Sequence, residues 1–146
     1  MADRFKVDNK YIEGFIKSKG DSLDVLKLKS EGERTDYFIL AFALGVNAGY
    51  RTPSQHGVGL VQDHVVRGKR DYSMSIIYSV ALQELIKENR ERDINDTDIV
   101  YEIAEEYANT GFKILEEKIP DIKKYDEEAF MYELIALMDD IINKSW

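Results

Sequence analysis

The chain contains no cysteine. That excludes disulfides, thiol chemistry and thiolate metal sites, and it fits a reducing compartment. Only two prolines, Pro53 and Pro120, interrupt the 146 residues. So few helix breakers favour long helices over many short strands. Histidine is scarce too: His56 and His64 are the only two. A metal site built on them would need a further ligand, and Asp63 is the one neighbour on offer. No metal or other cofactor is therefore expected. Long apolar runs are missing as well. The longest, Tyr37 to Val46, is ten residues, against roughly 20 needed to cross a bilayer as a helix. Met1 to Lys10 carry charges and lack the apolar segment of a secretory leader. A cytoplasmic location without membrane contact is the expectation.

What is present fits one folded domain spanning residues 1–146. Hydrophobic residues make up 44% and charged residues 33%, a balance that excludes disorder and supports a core. The formal net charge is −8. An acidic surface favours solubility and repels nucleic acid at long range. The same charge fits an acidic inhibitor that plugs a basic groove, although such mimics usually carry denser acid.

Hydrophobic periodicity predicts an all-α fold, an irregular bundle of about five main helices. A first helix is read over about 8–19, capped by Asp8 or Asn9 and carrying Tyr11, Ile12, Phe15 and Ile16. Ser22 to Leu28 reads as a short helical turn. The run Tyr37 to Val46 is apolar on every side, so periodicity alone does not separate a buried strand from a helix. Its alanines and leucines, with Thr35 as a cap, favour a central helix that ends at Asn47 and Gly49. The small residues Ala41, Ala43 and Gly45 would let neighbouring helices approach closely. A third helix is expected over about 71–90, with Met74, Ile77, Val80, Ala81, Leu85 and Ile86 facing inward. A fourth runs over about 96–118. Its apolar side holds Ile99, Ile103, Tyr107 and Ile114, and its polar stripe holds Glu102, Glu105, Glu106, Asn109 and Lys113. Gly111 lies in mid-helix, where it costs about 1 kcal/mol against alanine, and points to close packing or a kink. The last helix is expected over about 126–144, with acids in its first turn and Lys144 near its end.

Residues 51–70 break the pattern. They hold Pro53, Gly57, Gly59, Gly68 and both histidines, and read as one long loop with at most a short element at Gly59 to Val66. Long loops in small domains are uncommon and often functional. This one also reverses the charge of the chain: Arg51, Arg67, Lys69 and Arg70 face only Asp63. These four cations are candidate contacts for an acidic partner, phosphate or nucleic acid, or else they pair internally with the acidic helices. The segment Gly57-Val58-Gly59-Leu60 lacks the spacing of a phosphate loop. Pro120-Asp121 with Lys123 and Lys124 lacks the second carboxylate of a nuclease site. The adjacent acids Glu105–Glu106 and Asp139–Asp140 give no sign of converging in a pocket.

Two segments are similar to motifs of a family called Dnd system-associated protein 4. One is Thr35-Asp36-Tyr37-Phe38-Ile39-Leu40-Ala41-Phe42-Ala43-Leu44-Gly45, closed by Arg51-Thr52-Pro53. The other is Glu105-Glu106-Tyr107-Ala108-Asn109-Thr110-Gly111-Phe112-Lys113-Ile114-Leu115, where the family normally shows a second glycine in place of Thr110. The helix around Ile76 to Leu85 fits between them. The resemblance spans about residues 35–116 and leaves the first and last helices unmatched. It implies an accessory of bacterial DNA phosphorothioation and phage-defence islands, and it carries over no catalytic residues. Within the second motif, Tyr107, Asn109 and Gly111 are the positions to test. The expectation is a non-enzymatic protein that binds another protein, with a homodimer also compatible. A phage-encoded acidic inhibitor of a nucleic-acid-binding enzyme, and a nucleic-acid-binding module using the basic loop, are the alternatives.

Overall fold

A computed structural model describes residues 3–11, 31–69, 71–118 and 127–145. In chain order it contains β1 (Arg4–Asp8), α1 (Asn9–Tyr11), α2 (Glu31–Ala48), β2 (Gly57–Gln62), α3 (Asp63–Lys69) and α4 (Asp71–Lys87). A 3-10 turn (Glu91–Asn95), α5 (Thr97–Lys118) and α6 (Glu127–Ser145) follow. Helices dominate, but β1 and β2 pair into a two-stranded antiparallel sheet, so the fold is not strictly all-α.

The sheet is the main departure from the sequence reading. Arg4-Phe5-Lys6-Val7-Asp8 alternates polar and apolar residues, the period of a strand with one buried face, and Phe5 and Val7 are fully buried. Asp8 is the last residue of β1, so the helix read over 8–19 is described only as Asn9–Tyr11. Residues 12–19 and the turn read over 22–28 lie outside the described residues. The expected loop of residues 51–70 resolves into a short connection, β2 and α3.

The helices follow the periodicity more closely. The 37–46 run is helical, inside α2. That helix begins at Glu31, so Thr35 is an interior residue with no exposure and not a cap. At the other end Gly49, with φ +84°, donates its N–H to the Gly45 carbonyl at 3.1 Å, a left-handed cap that suits glycine. Asn89 does the same for α4: its φ is 57°, and the Arg90 N–H reaches back to the Leu85 carbonyl at 2.7 Å. Asp96 caps α5, its Oδ1 accepting the Asp98 N–H at 3.0 Å.

The central helix is α5, where the apolar run of α2 had suggested that role. Every residue from Tyr107 to Phe112 is buried, because other elements cover α5 on all sides at that level. The core joins two aromatic groups. Phe5 packs on Phe38 and Tyr101 with ring centroids 4.8 and 4.4 Å apart. Tyr11 and Tyr37 pack on Phe112 at 5.8 and 5.5 Å. In α4, Met74, Ile77, Ala81 and Leu85 are buried as expected, but Ile86 is 50% exposed. In α6, Leu137 turns inward while Ile135 and Met138 stay exposed.

Candidate functional site

The second motif lies where α5 meets α2, β1 and the connection before β2. Two glycines set the helix crossing. A Cβ on Gly45 would lie 1.8 Å from the Tyr107 carbonyl oxygen, and one on Gly111 would lie 1.7 Å from that of Ala41. The α2 and α5 backbones therefore touch directly at two points, one glycine from each helix. No other residue fits either position without moving a backbone.

Next to this crossing, α5 replaces a missing strand. The register places Lys6 and Asp8 at positions of β1 whose N–H groups point away from β2. The Lys6 N–H donates to Glu105 Oε2 at 2.7 Å, and the Asp8 N–H donates to Asn109 Oδ1 at 3.0 Å. The geometry explains the spacing. Four residues of helix rise about 6 Å, and two residues of strand rise about 6.6 Å, so side chains at positions 105 and 109 match alternate strand amides.

Asn109, fully buried, uses its other end on the connection. Its Nδ2 donates to the Thr52 carbonyl at 3.0 Å and to Ser54 Oγ at 2.7 Å. Thr110 completes the tie by donating its single hydroxyl proton to the Tyr50 carbonyl at 2.9 Å. In the 2.8 Å pair between Thr110 Oγ1 and Thr52 Oγ1, Thr52 is then the donor. The Thr52 N–H donates to the Glu106 carbonyl at 3.0 Å. The Thr110 hydroxyl thus holds the connection down. Asp8 closes the ring, its carboxylate accepting the Lys10 and Gln55 N–H groups at 3.2 and 3.0 Å. Burial alone would raise its pKa. Those two amides, with the charges of Lys10 and His56, bring it below the usual value instead.

The acids along α5 are unevenly perturbed. Burial pushes Glu105 up to about 7, with Glu102 and Glu106 adding to the rise and the Lys6 amide and charge opposing it. Burial likewise raises Glu106, against the pull of Arg51. Tyr107 donates its hydroxyl to Glu84, and Tyr101 donates to Asp63 Oδ2 at 2.7 Å. Burial first, and those carboxylates second, hold both phenols well above the ordinary tyrosine value. Glu105 and Tyr101 line a cleft of about 590 Å³ together with Asp3, Arg4, Lys6, Asp98 and Glu102. Both are committed, Glu105 to a backbone amide and Tyr101 to Asp63. Their arrangement holds β1 and the start of α3.

The residues singled out in the sequence fall in separate places. Tyr107 and Asn109 are 4% and 0% exposed, so they lie within the scaffold and not on its surface. Arg51 is paired internally, 3.1 Å from Glu88 and 3.5 Å from Glu106. Arg67 is exposed on α3. The Lys69 side chain and Arg70 lie outside the described residues. The exposed His56 and His64 are separated by the whole of β2, about 20 Å of extended chain, which rules out a shared metal ion. Among the described residues, no three His, Cys, Asp or Glu side chains converge to hold a metal, and no helix is long and apolar enough to cross a membrane. Sequence reading missed Asp8, Glu105 and Tyr101 as ties. The alternation of residues 4–8 was the one local signal that pointed to the strand they secure.

No curated protein and no solved structure matches this chain. Residues 25–140 match the family described as DNA sulphur modification system-associated protein 4. That span extends beyond both motifs, covers all of α2 to α5 and takes in most of α6. With most of its length matched, the chain belongs to the DNA sulphur modification system-associated protein 4 family.

Proposed function

We propose that this protein is a non-enzymatic accessory of a prokaryotic DNA sulphur modification and phage-defence system, and that it acts by binding another protein. The observation that carries this reading is where the second motif's side chains go. Tyr107, Asn109, Thr110 and Gly111 are all buried and engaged in the helix crossing and the tie to residues 50–54. A catalytic motif would present reactive atoms to a pocket; these residues build a scaffold. The surface supplies what a binding role needs. Ile76, Leu82 and Ile86 on α4, and Ile135 and Met138 on α6, are each at least 37% exposed. These exposed apolar side chains are the candidate contacts for a partner.

The test is affinity capture of the tagged full chain, at native level, from a host carrying the sulphur-modification genes. The expected result is recovery of a protein of that system in a fixed ratio to the bait. Recovery of the bait alone, from cells in which it is folded and abundant, would count against the accessory reading.

A further inference from the structure

The two-stranded sheet has two outer edges, and the structure treats them differently. The β1 edge is closed by Glu105 and Asn109 of α5. Among the described residues, the β2 edge has no counterpart. Phase follows from the ladder: the Asn9 N–H donates to the His56 carbonyl at 2.7 Å, and the Asp63 N–H donates to the Asp3 carbonyl at 3.0 Å. The partners Asp8–Gly57, Lys6–Gly59 and Arg4–Gln62 therefore occupy non-hydrogen-bonded positions. On β2, the backbone groups of Gly57, Gly59 and Gln62 point away from β1. Among the described residues, none of these outward groups takes part in a hydrogen bond. Gly57 and Gly59 are exposed.

An open edge of alternating donors and acceptors is satisfied by one kind of ligand, an extended backbone. Its charge preference is also on display. The Arg4 side chain crosses the sheet over Gly59: a Cβ there would lie 2.7 Å from Arg4 Cδ and 3.2 Å from its Nη1. The absence of a side chain at position 59 thus lets a guanidinium lie over β2, beside the open edge. Its partner there is the largely exposed Asp3, at 3.7 Å, a weak and replaceable pair. A second copy of the chain pairing β2 to β2 antiparallel would set two Arg4 guanidinium groups on the same face. Like charges so placed disfavour that occupant.

We infer that the β2 edge, Gly57 to Gln62, receives an extended segment of a partner protein as a third strand, with acidic side chains beside Arg4. This rests on the reading that the protein acts by binding another protein, and it names the surface and the chemistry of the segment bound.

The test uses the full-length protein and a capped synthetic peptide alternating glutamate and valine, with a lysine–valine peptide as control. Binding is followed by amide NMR and hydrogen exchange. The expected pattern alternates: the Gly57, Gly59 and Gln62 amides gain protection, while Val58 and Val61, already bonded to β1, change little. Gly57→Pro removes an outward donor without touching the ladder. It should weaken the acidic peptide about ten-fold or more, as loss of an edge hydrogen bond and strand fit implies. Arg4→Glu should reverse the preference between the two peptides. Both variants lie on the surface, and an unchanged spectrum elsewhere verifies their folding. The inference is overturned if the acidic peptide leaves the edge amides unprotected, or if Gly57→Pro binds as tightly as the parent. It is also overturned if protein concentration alone protects the edge, since the occupant is then a second copy. Capture of a system component combined with an unprotected edge would refute this surface and leave the accessory reading intact.

Discussion

Replacing Gly111 by alanine puts two effects of opposite sign in competition. Helix propensity favours alanine by about 1 kcal/mol in a helix interior, so a freely exposed α5 would be stabilised. The crossing opposes this. The added methyl would sit 1.7 Å from the Ala41 carbonyl oxygen and 2.3 Å from its carbon. Ordinary contact needs about 3.4 Å or more, so α2 and α5 must separate by well over 1 Å. The clash is with backbone, which no rotamer change relieves, and separation loosens the packing of Phe38, Phe42 and Phe112. Overpacking a core costs about 1–3 kcal/mol, and a backbone clash belongs at or above the upper end. The net expectation is a loss of about 2 kcal/mol or more. Urea denaturation followed by far-UV circular dichroism should show a lower midpoint with an unchanged slope. Gly68→Ala is the internal control. It lies in α3 with nothing within 4 Å of the new Cβ, and should raise stability by up to about 1 kcal/mol. If Gly111→Ala is as stable as the parent, or more so, the close crossing is wrong.

Asn109→Asp keeps the acceptor for the Asp8 N–H but turns two donors into acceptors facing the Thr52 carbonyl and Ser54 Oγ. It should destabilise by about 3 kcal/mol and raise hydrogen exchange at the Asp8 and Thr52 amides, whereas a midpoint within error of the parent would contradict the tie. The pKa of Glu105 is raised in the folded state, so its contribution is full below the usual carboxylate value near 4.5 and is lost as pH rises through about 7. Thermal melts should show stability falling between pH 5 and pH 8, by about 3 kcal/mol at the very most, and Glu105→Gln should flatten that slope while keeping the Lys6 hydrogen bond. Arg51→Ala removes a partly exposed pair of contacts to Glu88 and Glu106. It should cost about 1 kcal/mol at low salt and less at molar salt, and a salt-independent loss would mean that Arg51 acts through packing instead.

The long helices were legible because each shows its period over many residues. The ends of α5 fall within a residue of those read from the polar and apolar stripes, and Gly49 ends α2 as its type announces, whereas the αL residue Asn89 stops α4 short of the end read at about residue 90. The 37–46 run was ambiguous because it is apolar on every side. What settles it as a helix is contact with a second helix 62 residues further along the chain, through Gly45 and Tyr107. The strands were hidden for different reasons. β1 is five residues long and ends at Asp8, a residue that also looks like a helix cap. β2 begins Gly-Val-Gly, which reads as a turn, and pairs with a segment 49 to 58 residues earlier. Asn109 misled most. It lies on the polar stripe of α5 by period, yet it is fully buried, because its partners at positions 8, 52 and 54 are set by tertiary structure alone. The basic cluster of residues 51–70 divided for the same reason, with Arg51 drawn to Glu88 just past α4 and to Glu106 on α5 while Arg67 faces outward.

The central claim is that the family's motif residues build a scaffold whose work is binding a protein of the modification system. Sedimentation velocity of the purified chain mixed in turn with each purified protein of a DNA sulphur modification system measures this most directly. A faster boundary containing this chain and one of those proteins is the predicted result. Independent sedimentation of every mixture, with the chain folded throughout, would contradict it.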